Sequence, residues 1–261
     1  MFGGYYIIGG VHRPNDLKGG GLEAAKRLYA IFTEVTALTG QEAPKVIYID
    51  AATNNKHAFT APFRDNLQQI YPQGQYTSDD GSSSKYFFQL DLSAEQREQA
   101  QVEVIDKAFA EADIVYMNGG PEFDNLKAVI ETYGLKQRFE DFVARGGLVG
   151  GQSAGGIILA EQVADGDAGR TVEGIGALPG VAVAAHIDRA DEVKMRIGMV
   201  EDAAKEIDTI TKRWGVASGH AIVKMVGDDK PLLLSPKGQE HEADAFFVNG
   251  MYRNAPAPRS S

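Results

Sequence analysis

The chain has 261 residues, 43% of them apolar and 24% charged, so it can bury a sizeable core, and disordered, collagen-like and coiled-coil architectures are excluded. Its formal net charge of −10 repels phosphate backbones, so we predict that it binds no nucleic acid. It contains no Cys, which excludes disulfides, thiolate metal sites and a cysteine nucleophile.

Short apolar runs typical of buried strands alternate along the chain with stretches of helical spacing. They predict strands at residues 5–8, 46–49, 85–92, 114–117 and 148–149. Helices are predicted at 22–39, 65–71, 93–112, 125–145 with a break near Gly134, and 154–163. Ser93, with Gln96 three residues on, forms a capping-box pattern at the start of one of them. This alternation predicts a parallel sheet with helices on both faces.

The last third of the chain is less regular. A small apolar strand ends at His186, and a helix is predicted over residues 189–214. Strands that could be antiparallel are predicted at 221–226, 231–234 and 243–248. We predict one domain over residues 1–253, and a mobile tail at 254–261, which is rich in Pro, Ala and Ser.

No apolar run approaches the roughly 18 residues that a membrane-spanning helix needs. The first four residues lack the basic and apolar regions of a signal peptide. We therefore expect a cytoplasmic protein without membrane association, although an earlier leader could have been removed.

The most informative motif is the run GGQSAGG at residues 150–156, between a predicted strand and a predicted helix. Its core is G-x-S-x-G, the pattern of a nucleophile elbow, in which small flanking residues allow a sharp turn that exposes the serine. Ser153 could then attack a carbonyl, and the first N–H groups of the helix could stabilise the oxyanion. The alternative is a Gly- and Ser-rich turn that only caps a helix.

An oxyanion hole needs a second backbone donor. The turn Asn118-Gly119-Gly120-Pro121 also follows a strand, so it should share the sheet edge with Ser153. Pro121 has no N–H, so Gly119 or Gly120 must donate, and we favour Gly120.

A serine nucleophile also needs a base. Five histidines are available, namely His12, His57, His186, His220 and His241. His186 leaves a strand at its end, where a side chain can reach over the sheet edge. His220 follows Ser218-Gly219. A lone histidine is more often structural than catalytic, so at least three of the five must be structural.

Together these residues resemble peptidase family S51, which includes cyanophycinase and the aspartyl dipeptidase peptidase E. The resemblance runs from about Tyr5 to Val226. It covers Ile7-Ile8-Gly9-Gly10, residues 46–49 with Ala51-Ala52-Thr53, Asn118-Gly119-Gly120, residues 147–156 and Ala185-His186. Of these, the Gly-x-Ser-Ala-Gly block is the specific part.

The resemblance implies a three-layer, flavodoxin-like fold of the class I glutamine-amidotransferase type, with a mostly parallel sheet and helices on both faces. It implies Ser153 as nucleophile, His186 as base, and the N–H groups of Gly120 and Ala154 as the oxyanion hole. Members hydrolyse peptide bonds beside aspartyl residues and use neither a metal nor an organic cofactor. We therefore expect a small peptide as substrate. A homodimer is a possible assembly.

Two departures from the family pattern bear on this reading. Cyanophycinases have an Asp-Gln pair before the histidine, where this chain has Ala184-Ala185. The family also has a triad glutamate in a loop that here, at residues 215–221, holds no carboxylate. His220 or Ser218 falls nearest that position, and we predict His220 as the third catalytic residue. The carboxylates that could substitute from elsewhere are Asp188, Asp191 and Glu122.

Substrate selection in this family requires groups that bind an acidic side chain. We predict Arg189 and Gln152 as substrate-binding residues, with Arg13 as a second basic candidate. Two rival readings stay open. The first is an esterase of the α/β-hydrolase fold, with His241 as base. The second is a non-catalytic ligand-binding module on the same scaffold with a decayed triad.

Overall fold

Two β-sheets organise the computed structural model, which describes residues 3–10, 20–54, 59–76, 84–166, 169–188, 193–236 and 245–253, with the backbone alone at 20–25 and 252. Over these residues the first sheet contains β1 (Gly4–Ile8), β2 (Val46–Ile49), β3 (Phe87–Leu90), β4 (Ile114–Met117), β5 (Leu148–Gln152), β10 (Ala221–Met225) and β11 (Leu232–Leu234). The second contains β6 (Ala160–Asp165), β7 (Arg170–Glu173), β8 (Leu178–Ala185), β9 (Lys212–Val216), β12 (Phe246–Val248) and β13 (Met251–Arg253).

The helices connect and cover these strands. They are α1 (Gly20–Ala37), α2 (Thr60–Ile70), α3 (Gln99–Glu111), α4 (Phe123–Thr132), α5 (Leu135–Ala144), α6 (Ala154–Ile157) and α7 (Val193–Glu206), and a 3-10 turn spans Ala51–Thr53. No helix within the described ranges is long and apolar enough to cross a membrane.

The first sheet is mostly parallel, with strand order β11-β10-β1-β5-β4-β2-β3. The strands from β1 to β3 in that order pair in parallel, whereas β10 and β11 join antiparallel at one edge. The carboxyl ends of β1, β2, β4 and β5 therefore meet along one edge, which is where ligands bind in such sheets.

An aromatic cluster packs one face of the first sheet against α1 and α2. Tyr6 of β1, Tyr48 of β2 and Tyr116 of β4 point to that face and are fully buried. The ring of Tyr116 stacks on Phe63 of α2 at 4.3 Å and meets Phe32 of α1 edge-on at 5.1 Å. Burial raises the pKa of Tyr116 well above its ordinary value.

The opposite face of the first sheet is buried by α3, α4, α5 and the second sheet. Ile7, Ile47 and Met117 belong to one buried cluster with Val183 of β8 and Trp214 of β9. In the second sheet β8 pairs in parallel with both β6 and β9, and α7 packs on these three strands. The alternation of strands and helices predicts the first sheet. The sequence also predicts the strands that become β8 and β12, but not that they belong to a separate sheet.

The helix predicted over residues 154–163 is wrong beyond its first turn. α6 ends at Ile157, and the chain continues as β6 from Ala160, with Gln162 opposite Ala182 of β8. A short apolar run such as residues 157–160 suits either a helix or a buried strand. The strand is formed because β8 supplies its backbone partners.

Two predicted helix boundaries also differ from the structure. α3 begins at Gln99, and Gln101 Oε1 accepts the N–H of Glu98, so the capping box lies there and not at Ser93. Ser93 Oγ accepts the N–H of Glu95 in a preceding turn. The helix predicted over 189–214 is also too long, because Trp214 lies in β9.

Candidate active site

Ser153 occupies a strained turn between β5 and α6. Its φ and ψ are 47° and −123°, a conformation that non-glycine residues rarely adopt. Its N–H donates to Ile8 O at 2.9 Å, and its carbonyl accepts from Gly156 and Ile157. Although Ser153 is the N-cap of α6, its side chain makes no cap hydrogen bond. Helix capping therefore does not account for the serine.

Close backbone packing explains the two glycines of the G-x-S-x-G motif. A Cβ at Gly151 would lie 2.0 Å from Met117 O, and a Cβ at Gly155 would lie 2.2 Å from the same oxygen. Both positions press on the end of β4, so neither tolerates a side chain. The motif is thus the sequence that lets the turn at Ser153 approach its neighbouring strand.

His186 is the histidine that meets Ser153. Its Nε2 lies 3.0 Å from Ser153 Oγ, the separation of a hydrogen bond between a nucleophile and its base. His186 directly follows β8 and has a φ of 58°. The ring thus comes from the second sheet and the hydroxyl from the first.

Ser218 and Asp188 lie behind His186. Its Nδ1 lies 3.1 Å from Ser218 Oγ, and that hydroxyl donates to Asp188 Oδ1 at 3.2 Å. The N–H of Ser218 donates to the same carboxylate oxygen at 3.0 Å. Both residues are among the sequence-based candidates for the missing family glutamate, for which His220 is the residue favoured from the sequence.

His220 lies deeper in the protein than the Ser153–His186 pair and is 3% exposed. Its Nδ1 is 3.0 Å from the carbonyl of Ser218, and because a carbonyl only accepts, this nitrogen carries a proton. Its ring meets Phe246 edge-on. These contacts are those of a side chain that holds the backbone of Ser218.

The donors predicted for an oxyanion hole are the backbone N–H groups of Gly120 and Ala154. Among the described residues, neither the N–H of Gly120 nor that of Ala154 has a hydrogen-bond partner. A Cβ at Gly119 would lie 3.0 Å from Ser153 Cβ, so the loop at 118–121 lies beside the serine. Because α6 is a single turn with little dipole, individual N–H groups would carry this interaction.

A buried polar network supports Gln152. Asn118 Nδ2 donates to Asp50 Oδ1 at 3.0 Å, and Gln152 Nε2 donates to Asn118 Oδ1 at 2.8 Å. Thr53 also donates to that carboxylate oxygen. Asp50 and Asn118 directly follow β2 and β4. From the sequence, the turn at Asn118 is used only for its backbone donors and neither side chain is assigned a role, although both stand at strand ends.

The network leaves acceptors without partners. Among the described residues, Gln152 Oε1 and Asp50 Oδ2 are buried and accept no hydrogen bond. Because Asp50 accepts from Asn118, the amide of Asn118 is fixed with its oxygen toward Gln152, which must then donate. The Asp50 carboxylate, acting through Asn118, therefore determines the orientation of the Gln152 amide and leaves Gln152 Oε1 as its free acceptor.

Several predicted residues lie outside the described ranges. These are Arg189, the second substrate-binding prediction, and the weaker candidates Arg13, Asp191, His12, His57 and His241. Glu122 is exposed at the start of α4, and its N–H donates to Ala52 O. Within the described ranges no three His, Asp or Glu side chains cluster as metal ligands would.

Comparison with known proteins finds similarity to peptidases in sequence and in fold. The model of peptidase family S51 matches residues 80–208, which include Ser153 and His186 but not Ser218. The solved structure of a peptidase from an acI-B1 Actinobacterium is 19% identical, with a TM-score of 0.56 over 92% of this chain and 93% of that one. A protein from Listeria monocytogenes EGD-e, described as a candidate peptidase E, is 11% identical, with a TM-score of 0.55 over 90% and 100%.

No curated protein matches the sequence. At these identities the two solved structures establish a shared fold. The predicted three-layer, mostly parallel, flavodoxin-like α/β fold is thereby confirmed.

Proposed function

The chain belongs to peptidase family S51, and on that premise we propose that it is a serine peptidase that hydrolyses short aspartyl or isoaspartyl peptides through an acyl-enzyme. One observation carries the proposal. Ser153 Oγ lies 3.0 Å from His186 Nε2, on a turn that strains the serine backbone. Strain of this kind persists where the surrounding structure enforces it, and it is frequent at nucleophiles.

The reaction follows from the two side chains. Ser153 Oγ attacks the scissile carbonyl carbon while His186 Nε2 takes the hydroxyl proton. The resulting oxyanion accepts hydrogen bonds from the N–H groups of Gly120 and Ala154. His186 then gives its proton to the leaving amine as the C–N bond breaks. Water, deprotonated by the same nitrogen, releases the acyl group and restores Ser153.

Substrate selection is proposed to rest on Gln152 and Arg189. A carboxylate substrate approaches a protein whose net charge is −10, so a local positive group must offset that field. Arg189 is our candidate, because it stands three residues past His186 in the sequence, and an arginine can bind a carboxylate with two parallel hydrogen bonds. Gln152, adjacent to the nucleophile, would orient the peptide.

A fluorophosphonate probe tests the nucleophile. We expect the wild type to be labelled at a single serine, identified as Ser153 by peptide mass mapping, and Ser153→Ala to be unlabelled and inactive. Ser235→Ala is the matched control, because the Ser235 hydroxyl is buried and has no hydrogen-bond partner among the described residues. Labelling that survives in Ser153→Ala would refute the proposal.

A substrate panel tests the specificity. We expect cleavage of Asp-Leu and isoaspartyl-Leu dipeptides over Ala-Leu, and little hydrolysis of p-nitrophenyl butyrate. Arg189→Lys should weaken the Asp-containing substrates more than Ala-Leu, because lysine lacks the bidentate geometry. Equal cleavage of Ala-Leu would refute the acidic specificity and leave the serine mechanism standing. Preference for the ester would favour the esterase reading.

A further inference from the structure

A serine hydroxyl lies beside the base of the proposed reaction. The outer nitrogen of His186, Nδ1, lies 3.1 Å from the Ser218 hydroxyl, and the Asp188 carboxylate lies one hydrogen bond further on. We propose that Asp188 is a positioning residue that acts on His186 through the hydroxyl of Ser218. Ser153, His186, Ser218 and Asp188 then form one continuous hydrogen-bond chain. This inference rests on the proposed function, in which His186 is the base.

The single hydroxyl proton of Ser218 gives the chain its direction. A carboxylate oxygen only accepts hydrogen bonds, so Ser218 donates its proton to Asp188 Oδ1, as the 3.2 Å contact allows. The same hydroxyl can then only accept from His186, so Nδ1 must carry the imidazole proton. Nε2 is left with its lone pair toward Ser153 Oγ, which is the tautomer that a general base requires.

The backbone holds Ser218 and Asp188 in this arrangement. The N–H of Ser218 donates to Asp188 Oδ1 at 3.0 Å, and the Ser218 hydroxyl donates to the same oxygen. Two hydrogen bonds from Ser218 therefore hold the Asp188 carboxylate in place. The loop that carries Ser218 is tied to the end of β1, because Gly219 N donates to Gly10 O at 2.9 Å and Gly9 N donates to His220 O at 3.0 Å. The serine is 5% exposed. Water therefore has little access to its hydroxyl.

A relay through a hydroxyl should do part of what a direct carboxylate does. It fixes the tautomer and the ring orientation of His186 as a direct carboxylate would. It stabilises the imidazolium less, because the negative charge lies one side chain further from the ring. We therefore expect a smaller loss on removing Asp188 than the roughly 10⁴-fold loss that follows when a directly bonded triad aspartate becomes asparagine.

Two readouts test the relay. The first is the tautomer of His186 in the full-length protein, read from the ¹⁵N chemical shifts of its ring and assigned with His186→Gln. The second is the rate of fluorophosphonate labelling from pH 5 to 9. Both are measured for Ser218→Ala, Asp188→Asn and the double variant. The matched controls are Ser235→Ala and Asp208→Asn, since Asp208 is exposed in the turn after α7.

We expect the Nδ1–H tautomer in the wild type and a mixture of tautomers in Ser218→Ala and Asp188→Asn. Labelling should slow about 10- to 100-fold in either single variant, because each variant loses a hydrogen bond to a charged group. In Asp188→Asn the midpoint of the rising limb should move to lower pH, because a nearby negative charge favours imidazolium. The double variant should resemble Ser218→Ala alone, because Asp188 acts through that hydroxyl.

An Nε2–H tautomer in the wild type would overturn the proposal, and so would additive losses in the double variant. A variant that had merely lost its fold would show lower thermal stability together with slow labelling. A relay variant should keep a single cooperative thermal transition and stay folded at the temperature of the labelling assay. If the wild type is not labelled at all, the serine peptidase proposal fails, and the tautomer measurement still decides whether the relay exists.

Discussion

The backbone of Gly10 lies against the imidazole of His186. A Cβ at residue 10 would come within 2.4 Å of His186 Cε1 and 3.2 Å of Ser153 Cβ. The φ of Gly10 is 94°, where residues with a side chain are strained. Glycine at this position therefore leaves the space in which the hydrogen bond between Ser153 and His186 forms.

Gly10→Ala should inactivate the protein without unfolding it. The added methyl group must displace the His186 ring, and misplacing a reacting group by about 1 Å costs about 100-fold in rate. The measurement is kcat/KM beside the thermal unfolding midpoint. Gly134→Ala is the control, because its φ is also positive at 61° but no atom lies within 4 Å of the added Cβ. It should cost about 1–2 kcal/mol of stability and no activity. Equal activity in both variants would contradict this view.

Replacing His186 and His220 by alanine should have different effects. His186→Ala removes the base and should lower kcat/KM by roughly 10³-fold or more. His220→Ala removes the donor to the buried Ser218 carbonyl, so it should cost about 1–3 kcal/mol of stability and less than about 10-fold in activity. In the wild type, activity should rise through about pH 6–7 as a histidine base deprotonates. An inactive but stable His220→Ala with an active His186→Ala would reverse the two roles.

The strands could be predicted where the sequence contains an uninterrupted run of apolar residues. β2 and β4 match their predicted bounds because residues 46–49 and 114–117 are fully buried runs between polar turns. The second sheet could not be predicted, because β6 depends on pairing with β8, which no local pattern records.

The nucleophile of the candidate site could be predicted because its sharp backbone turn requires a recognisable local sequence. Ser153 was recognised from the glycines that its turn needs. For the partner of His186 Nδ1 the sequence offers both His220 and Ser218, and the choice of His220 is not supported by the structure, in which Ser218 Oγ makes the contact. Only the fold brings Ser218 and Asp188 together, by setting the ends of β8 and β9 side by side.

Asn118→Ala should raise KM more than it lowers kcat. Its side chain joins Asp50 to Gln152, so the change leaves a buried carboxylate with one donor fewer and frees the Gln152 amide. The expected cost is about 1–3 kcal/mol of stability. Steady-state kinetics on Asp-Leu and chemical unfolding measure the two effects. Asn66→Ala, which removes a solvent-exposed hydrogen bond to Pro62 O, should change neither.

Glu161→Gln should lower stability near neutral pH only. Hydrogen bonds from Thr209 and from the N–H of Gly180 hold the pKa of Glu161 below its ordinary value. A carboxylate with a lowered folded pKa stabilises the protein above its unfolded pKa, and that contribution disappears as pH falls through the folded value. The side chain is near the surface, so we expect less than about 1 kcal/mol at pH 7. Urea unfolding at pH 7 and pH 3 would show the difference, and Glu111→Gln, exposed at the end of α3, is the control. If the wild type and Glu161→Gln differed more in free energy of unfolding at pH 3 than at pH 7, the predicted pH dependence would be contradicted.

A strong chelator should leave hydrolysis unchanged. The proposed reaction uses a hydroxyl, an imidazole and backbone N–H groups, and none of these steps requires a Lewis acid. The measurement is the rate on Asp-Leu before and after treatment with EDTA, followed by dialysis. Loss of activity that zinc restores would show that a metal takes part.

The proposed nucleophile and the proposed base belong to different sheets. Ser153 and the loop at 118–121 follow strands of the first sheet, whereas His186, Asp188 and Ser218 follow β8 and β9 of the second. During synthesis the serine leaves the ribosome before the histidine, and neither half holds a complete set of reacting groups. A nascent or partly folded chain therefore lacks part of the proposed catalytic set. Hydrolytic competence would arise only when the two sheets dock, which makes activity itself a report of completed folding.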